Sequence, residues 1–408
     1  MVSFGYKFRI YPTEEQEVFF AKHFGCCRFI YNYLLALRMN AYEKFGKTIT
    51  GFEAKKQIAI LKRTEGYAWL KEVNSQSLQE AALDLEKSYQ RLFKKLGKKP
   101  CFKKKFNKQT FKIPQHFCFK ETKRGNFFLK IPKLKSLIKV KAHRKIEGRI
   151  KQITIVKESN GKCFASFNCE VERTKILKKK DCRENSIGID LGLASFIATS
   201  NGEKKEAPKF LRKSERKLKS AQKKLSRKKK YSSNWNEDRI KVARIHQQVT
   251  NQRKDFLHKI SFKLVDENQV IYLEDLHVKG MMKNRHLSKS IADASWSEFG
   301  RQLKYKAVWR NKKVVQIGRF EPSSKLCSTC GAKNNDLKLH QRKWMCVHCK
   351  SWHDRDINAA KNIIKLGQDM SKIKPVERST SVFSLKKKQV GSMKQEPDSD
   401  CFENQDAR

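Results

Sequence analysis

Acidic residues are scarce in this sequence: 41 Asp and Glu stand against 92 Lys and Arg in 408 residues, a formal charge of +51 at pH 7. An excess of that size repels itself until a polyanion neutralises it. Nucleic acid is the expected partner, with affinity that falls steeply as salt rises; an anionic membrane surface is the rival. Long apolar runs are missing too. None is long enough to span a bilayer, and the opening MVSFGYKFRIYPTEEQ lacks the apolar stretch of a signal peptide. A cytoplasmic, nucleoid-associated protein with no membrane partner is therefore expected. Hydrophobic residues reach only 38%, which would suit disorder, but 26 Phe and clearly periodic segments oppose it. The length allows two to four domains. Cysteine is not scarce: twelve, without a secretory signal, read as metal ligands and reduced thiols rather than disulfides.

Residues 6–10 alternate as a strand. Thr13 then opens T-E-E-Q, a capping box with Gln16 in its third position, and helical patterning follows with a break near Gly25. Ser75 is the expected N-cap of a further helix, on which Leu78, Ala82, Leu85, Tyr89 and Phe93 form a stripe suited to a helical-bundle core. Between Lys94 and Lys112, lysines are interleaved with Phe102, Phe106 and Phe111. That pattern suits backbone phosphates and base stacking, and a solvated linker nearly as well. Short strands follow to about Glu172, the clearest pair, 153–156 and 164–167, flanking the turn signal Asn160-Gly161. A small β-barrel is the expected package. Three lysines at 178–180 mark a boundary. From Phe210 to about Val265 the chain is helical and basic, broken at 232–234, with a seam of Ile245, Val249, Phe256, Ile260 and Leu264. A helical hairpin laid along nucleic acid fits, as does a charged coiled coil. Beyond Gly367 the polar composition predicts a mobile tail.

Three acids border apolar elements. Asp190 lies in the strand Ile187-Gly188-Ile189-Asp190-Leu191-Gly192, followed by a second strand at 196–199 and the turn Asn201-Gly202. A strand, an inward Asp and a hairpin are how ribonuclease-H-like folds begin. Glu274 ends the strand Val270-Ile271-Tyr272-Leu273-Glu274, and Asp356 opens a helix start, with Asp354 competing as the acid. A carboxylate on a buried strand is costly without a positive partner, and metal ions supply one. Three carboxylates from separate segments can hold two Mg2+ (or Mn2+) ions about 4 Å apart for an in-line phosphodiester displacement. Singly, each acid also fits a turn, an exposed strand end or a helix dipole; their joint order narrows the reading.

Cys327-x2-Cys330 and Cys346-x2-Cys349 lie between the second and third acids. Their spacing is that of a four-thiolate zinc site, and a closed sulfur shell leaves no open position, so a structural Zn2+ is expected. His340, His348 and His353 are not needed as ligands.

These residues resemble the TnpB (OrfB-type) family, compact transposon-encoded relatives of type V CRISPR effector nucleases. The matching segments include Arg9-Ile10-Tyr11-Pro12, Trp69-Leu70, Leu78-Gln79, Pro100-Cys101-Phe102-Lys103 and the GIDLGL strand. They continue with Asp255-Phe256-Leu257-His258-Lys259, Leu273-Glu274-Asp275-Leu276, Ser323-Ser324-Lys325-Leu326-Cys327 and HDRDINAAKN, and 186–364 carries most of the weight. The resemblance implies a multidomain α+β protein. A helical recognition region (14–95) is inserted in a small β-barrel (1–13 and 96–182). A RuvC-like (RNase H fold) α/β nuclease domain follows at 183–323, carrying the basic hairpin 208–266. A four-cysteine zinc ribbon (324–351), the end of the nuclease domain (352–366) and a polar, disordered tail (367–408) complete the chain. The resemblance also implies an RNA-guided DNA endonuclease that cuts guide-matched double-stranded DNA beside a short adjacent motif. Its partners are a transposon-derived guide RNA and the target DNA. Asp190, Glu274 and Asp356 take the catalytic metal-binding roles, Asn358 supports Asp356 by hydrogen bonding, and Ser75, Gln76 and Gln79 are candidates for reading the adjacent motif. A nuclease-silent RNA-guided regulator and a DNA-joining transposase are the alternatives.

Overall fold

The computed structural model describes residues 2–122, 125–172, 185–319, 321–338 and 340–372; the lysines at 178–180 and the tail from 373 lie outside the described residues. The chain opens with β1 (Val2–Tyr11), then α1 (Glu14–Phe45), α2 (Gly51–Arg63), a 3-10 turn and α3 (Ser75–Phe93). Six strands follow: β2 (Gln109–Ile113), β3 (Cys118–Glu121), β4 (Phe127–Lys130), β5 (Ile138–Lys141), β6 (Arg149–Lys157) and β7 (Cys163–Val171). They form one sheet in the order β2-β6-β7-β1-β5-β4-β3. The helical segment separates β1 from the other strands in sequence, yet β1 sits between β7 and β5, antiparallel to both. Phe119 on β3 lies 4.8 Å from Phe167 on β7, although four strand spacings of about 4.8 Å separate those strands in the sheet order. The sheet is therefore strongly curled, as the expected small β-barrel requires, and its pairings leave β2 and β3 as edges.

Local chemistry explains most of the helical boundaries. Thr13 caps α1, with the reciprocal Gln16 contact of a capping box, and Thr50 and Glu53 repeat the device on α2. The expected break at Gly25 does not occur, and α1 runs unbroken to Phe45. One helical glycine costs only about 1 kcal/mol, less than the burial of Phe20, Phe24, Ile30, Leu34 and Leu35 returns. The N-cap of α3 is Asn74, whose side chain accepts from the Gln76 N–H, and Ser75 is the first helical residue. The α3 stripe is buried from Leu78 to Tyr89, but Phe93 is exposed. Phe111, expected among base-stacking aromatics, is instead core: β2 turns it onto Phe20 and Phe24.

The second body is a five-stranded sheet of β8 (Ser186–Leu191), β9 (Ser195–Thr199), β10 (Lys204–Glu206), β11 (Val270–Glu274) and β12 (Lys313–Ile317), ordered β10-β9-β8-β11-β12. β8, β11 and β12 are parallel; β9 and β10 return antiparallel. Helices α4 (Phe210–Ser226) and α5 (Ser233–Glu267) form the hairpin between β10 and β11, with Ser232 capping α5. Short helices α6 (Val278–Met281) and α7 (Ser288–Ala294) precede α8 (Trp296–Trp309), which leads to β12. A two-stranded ribbon, β13 (Lys343–Met345) and β14 (Trp352–Asp354), then delivers the chain to α9 (Arg355–Lys372). The ribbon thus reaches Asp354 rather than ending at 351, because Lys343 pairs with Asp354. The last helix likewise passes through Gly367 to Lys372.

Strand alternation decides what faces α9. Ile187, Ile189, Ile271 and Leu273 enter the core shared with Phe196, Phe299 and Leu303, whereas Tyr272 packs with Ile363 of α9. The period of two therefore puts Gly188, Asp190, Tyr272 and Glu274 on the α9 side. Glycine permits the close approach: a Cβ on Gly188 would lie 2.0 Å from the Ala360 carbonyl oxygen, and one on Gly367 would lie 2.1 Å from the Tyr272 ring. Among the described residues, no helix is long and apolar enough to cross a membrane.

Candidate functional site

Three elements of the second body bring Asp190, Glu274 and Asp356 together. Ile189 is paired with Leu273 across the parallel β8–β11 ladder. Asp190 and Glu274 are the next residues on the same face, one strand spacing of about 4.8 Å apart along the backbone. Asp356 comes from the first turn of α9, which packs over β8. The electrostatic consequence falls on Asp190. Burial first, then the negative charge of Glu274 and of Asp356, push its carboxyl up to about 7. Part of its side chain remains open, but protein surrounds it on most sides.

The other two acids have partners. Glu274 accepts from the Ser323 hydroxyl. Asp356 receives Lys204 Nζ and Arg342 Nη1, each at 3.3 Å. Asp354, the competing acid, plays a different part. Its Oδ1 accepts the N–H groups of Asp356 (3.1 Å) and Ile357 (3.2 Å) and so caps α9. Burial raises the Asp354 pKa, but Lys204 and those two N–H groups outweigh this and hold it below the usual carboxylate range. Ser323, Lys204 and Arg342 were not singled out from the sequence. Ser323 lies in the quoted Ser323-Ser324-Lys325-Leu326-Cys327 segment, but nothing local in it points to Glu274.

The four cysteines form a tight cluster. Their sulfurs lie within 4.8 Å of one another, with Cys327–Cys349 and Cys330–Cys346 both at 3.6 Å. Tetrahedral zinc with bonds of about 2.3 Å needs sulfurs about 3.8 Å apart, so the cluster fits a structural Zn2+. Two matching knuckles set the geometry. The Gly331 N–H donates to the Cys327 carbonyl and the Lys350 N–H to that of Cys346, and both Gly331 and Lys350 take positive φ. His353 packs on Trp344 and meets Cys327 Sγ at 3.0 Å, which makes it a neighbour of the sulfur shell. Among the described residues, the cysteines are the one set of three or more potential ligands gathered that closely. The carboxylates are more widely spaced. Their all-oxygen donor set and the negative charge crowded against Asp190 fit hard divalent cations rather than zinc.

Asn358 does not support Asp356. Its amide donates to the Leu326 carbonyl (2.7 Å) and accepts from the Ser328 N–H (2.8 Å), which fastens the first zinc knuckle to α9. The reason is helical geometry, since Asn358 points to the buried side of α9 with Asn362, one turn on. Asn362 in turn donates to the carbonyls of Ser323 and Leu326. Ribbon, α9 and the Ser323–Glu274 contact are thus one connected hydrogen-bonded unit.

Ser75, Gln76 and Gln79 lie together at the start of α3. Ser75 and Gln79 are exposed, and Ser75 accepts from Lys62 Nζ at 2.6 Å. Gln76 donates to Gln115 while its own carbonyl oxygen is buried without a partner. A separate basic groove of about 740 Å3 lies between α4 and α5.

Comparison with known proteins gives three matching family models. The OrfB_IS605 family, described as "Probable transposase", matches residues 166–285. The "Helix-turn-helix domain" of the same group matches 1–47, where this chain has a strand and a single long helix. The "Cas12f1-like, TNB domain" matches 296–363. A Streptomyces pristinaespiralis protein named "Putative RNA-guided DNA endonuclease" is 35% identical over 89% of this chain and 89% of its own length. An Escherichia coli K12 protein, "Putative RNA-guided DNA endonuclease InsQ", is 30% identical over 89% of this chain and 92% of its own length. Among solved structures, the Cas12f1 protein of a Cas12f1-sgRNA-target DNA complex has the same fold, with a TM-score of 0.56 at 16% identity, covering 86% of this chain and 83% of that one.

Proposed function

The chain belongs to the TnpB (OrfB-type) family, and on that premise we propose that it is a transposon's RNA-guided DNA endonuclease, cutting guide-matched double-stranded DNA next to a short adjacent motif. One arrangement carries the catalytic reading: Asp190 is largely buried and faces two further carboxylates, from β11 and α9, and burial first, then their charge, pushes its carboxyl up to about 7. Such crowding of like charge is unfavourable by itself and is relieved by cations. Asp190, Glu274 and Asp356 would hold Mg2+ (or Mn2+). Bound there, divalent cations supply electrophilic stabilisation of the phosphodiester and an activated water. The chain's own groups prepare the acids: Ser323 orients Glu274, Asp354 fixes the first turn of α9, and Lys204 and Arg342 hold Asp356 in place.

The sheet order, with β8 central and β9 and β10 to one side, supports the RuvC-like, RNase H-type reading of the second body. The +51 charge and the basic α4–α5 groove suit a protein that grips RNA and DNA backbones while base pairing reads the sequence. In this reading Ser75, Gln76 and Gln79 read the adjacent motif. Guide-loaded protein is expected to cut matched plasmid with Mg2+. The Asp190→Ala variant is expected to lose cutting by at least about a thousand-fold while retaining guided DNA binding, measured by gel shift. If unmodified protein binds matched DNA with its guide but leaves it intact, the nuclease-silent reading replaces this one. The "Probable transposase" description of the matched family keeps a second reading, DNA joining, in view. Joined transposon ends formed without RNA would establish it.

A further inference from the structure

At the far end of the α4–α5 hairpin three aromatic rings meet a guanidinium. Tyr231, in the turn between the helices, stacks on Phe106 at 5.5 Å and 24°, and Trp235 lies 5.5 Å from both rings. Arg239 sits 5.2 Å over Phe106 and donates to the Ser159 carbonyl at 3.0 Å. Phe106 precedes β2 and Ser159 belongs to the β6–β7 turn, so the hairpin tip docks here on the first body. Docking accounts for Phe106 and Trp235, both half-buried. It does not account for Tyr231, which is 69% exposed and takes a left-handed backbone, φ 70°. That conformation crowds the Cβ of any residue other than glycine, and the turn nevertheless presents a large ring with one side open.

The surroundings are cationic. Lys228, Lys229 and Lys230 precede Tyr231 and are exposed. The 740 Å3 groove leads along the hairpin towards it, lined by Lys213, Arg216, Lys217, Lys224, Lys241 and Arg244, while the one acid there, Asp238, is paired with Lys241. We propose that Tyr231 is a stacking platform for an unpaired nucleotide of RNA whose phosphates follow this groove; the identification of that RNA as the guide rests on the function proposed above. An aromatic face at the end of a basic track is the chemistry of single-stranded nucleic-acid binding. Position favours RNA over the strand to be cut. Lys263 of α5 pairs with Glu203, beside the Lys204 that bonds Asp356. Trp235 lies 28 residues earlier on the same helix (263 − 235), roughly 42 Å along its axis. The platform thus holds a strand far from the acids.

The test uses RNA-free full-length protein and its Tyr231→Ala and Tyr231→Phe variants. The probes are labelled, mixed-sequence single-stranded RNA of about 20 nucleotides and the matching DNA, at fixed salt. Tyr231→Ala is expected to weaken RNA binding about ten-fold, and Tyr231→Phe to restore it, with the salt slope unchanged because no charge is removed. Unchanged RNA affinity, or a loss confined to DNA, overturns the proposal. So does a lowered melting temperature without loss of affinity, which would leave docking as the only role. These measurements need no cleavage. A protein that binds RNA through Tyr231 but cuts nothing keeps the platform and refutes the nuclease; one that cuts with its guide but whose RNA affinity is unchanged by alanine there does the reverse.

Discussion

At the residue scale Asp190 carries the heaviest electrostatic burden of the three acids. Its pKa rises from 3.8 to about 7 on folding, so the folded protein binds a proton more tightly than the unfolded chain. For a carboxylate raised in this way the penalty is absent below about pH 4, grows between about 4 and 7, and is complete above that. Stability without metal should therefore fall as pH rises through this window. Asp190→Asn removes the charge and relieves its two neighbours. In EDTA at about pH 8 the variant is expected to melt several degrees above the parent, from a relief on the order of 3 kcal/mol. The gap is expected to narrow at about pH 5. Differential scanning fluorimetry across that range is sufficient. An unchanged or lower melting temperature at the alkaline end would mean that the three carboxylates do not burden one another.

At the element scale α9 organises the site. Its first turn carries Asp356, its buried side carries Asn358 and Asn362, and those amides hold the chain from Ser323 to Ser328. Ser323 then reaches Glu274, 49 residues away in sequence. Removing that hydroxyl leaves the carboxylate in place but free to rotate. Ser323→Ala is expected to raise the Mg2+ concentration for half-maximal cleavage about ten-fold and to reduce the Mg2+-induced rise in melting temperature, with zinc content unchanged. Parental values on both measures would show that Glu274 needs no such support. This network also marks where sequence reasoning stopped. The Thr13 capping box is legible because cap and partner are three residues apart, and the cysteines because each Cys-x2-Cys pair is a short, regular spacing. The sequence offers the three acids as candidates through their apolar neighbours, Asp190 inside a strand, Glu274 at a strand end and Asp356 at a helix start, and strand alternation turns Asp190 and Glu274 to the α9 side. Asn358 was misassigned because its position near Asp356 in sequence does not reveal which side of the helix it occupies. Ser323 and Lys204 could not be read at all, since their partners lie at sequence separations of 49 and 152 residues. The Gly25 break failed for the opposite reason: a local signal was overridden by burial along α1.

At the scale of the whole molecule, the two bodies meet among the described residues through stacked rings and a hydrogen bond to a backbone carbonyl. Phe4 of β1 stacks on Trp309 of α8 at 4.2 Å, and the hairpin tip meets Phe106 and Ser159. Against these stands the mutual repulsion of a +51 chain, which such contacts do not neutralise. Salt should therefore act with opposite signs on two quantities. It screens repulsion within the RNA-free protein, whose melting temperature is expected to rise between about 50 and 300 mM NaCl. It also opposes the counterion release that drives binding, so RNA affinity is expected to fall over the same range. If the six cations of the α4–α5 groove each meet a phosphate, they alone contribute a slope of about −4 to log K against log salt for a single strand. Replacing Lys213 and Lys217 by Gln should make the total slope shallower by about 1.4 and weaken binding equally for unrelated RNA sequences. A slope identical to that of the parent would place the RNA backbone outside this groove. A melting temperature that falls with salt would mean that specific ion pairs, not net repulsion, govern the stability of the free protein.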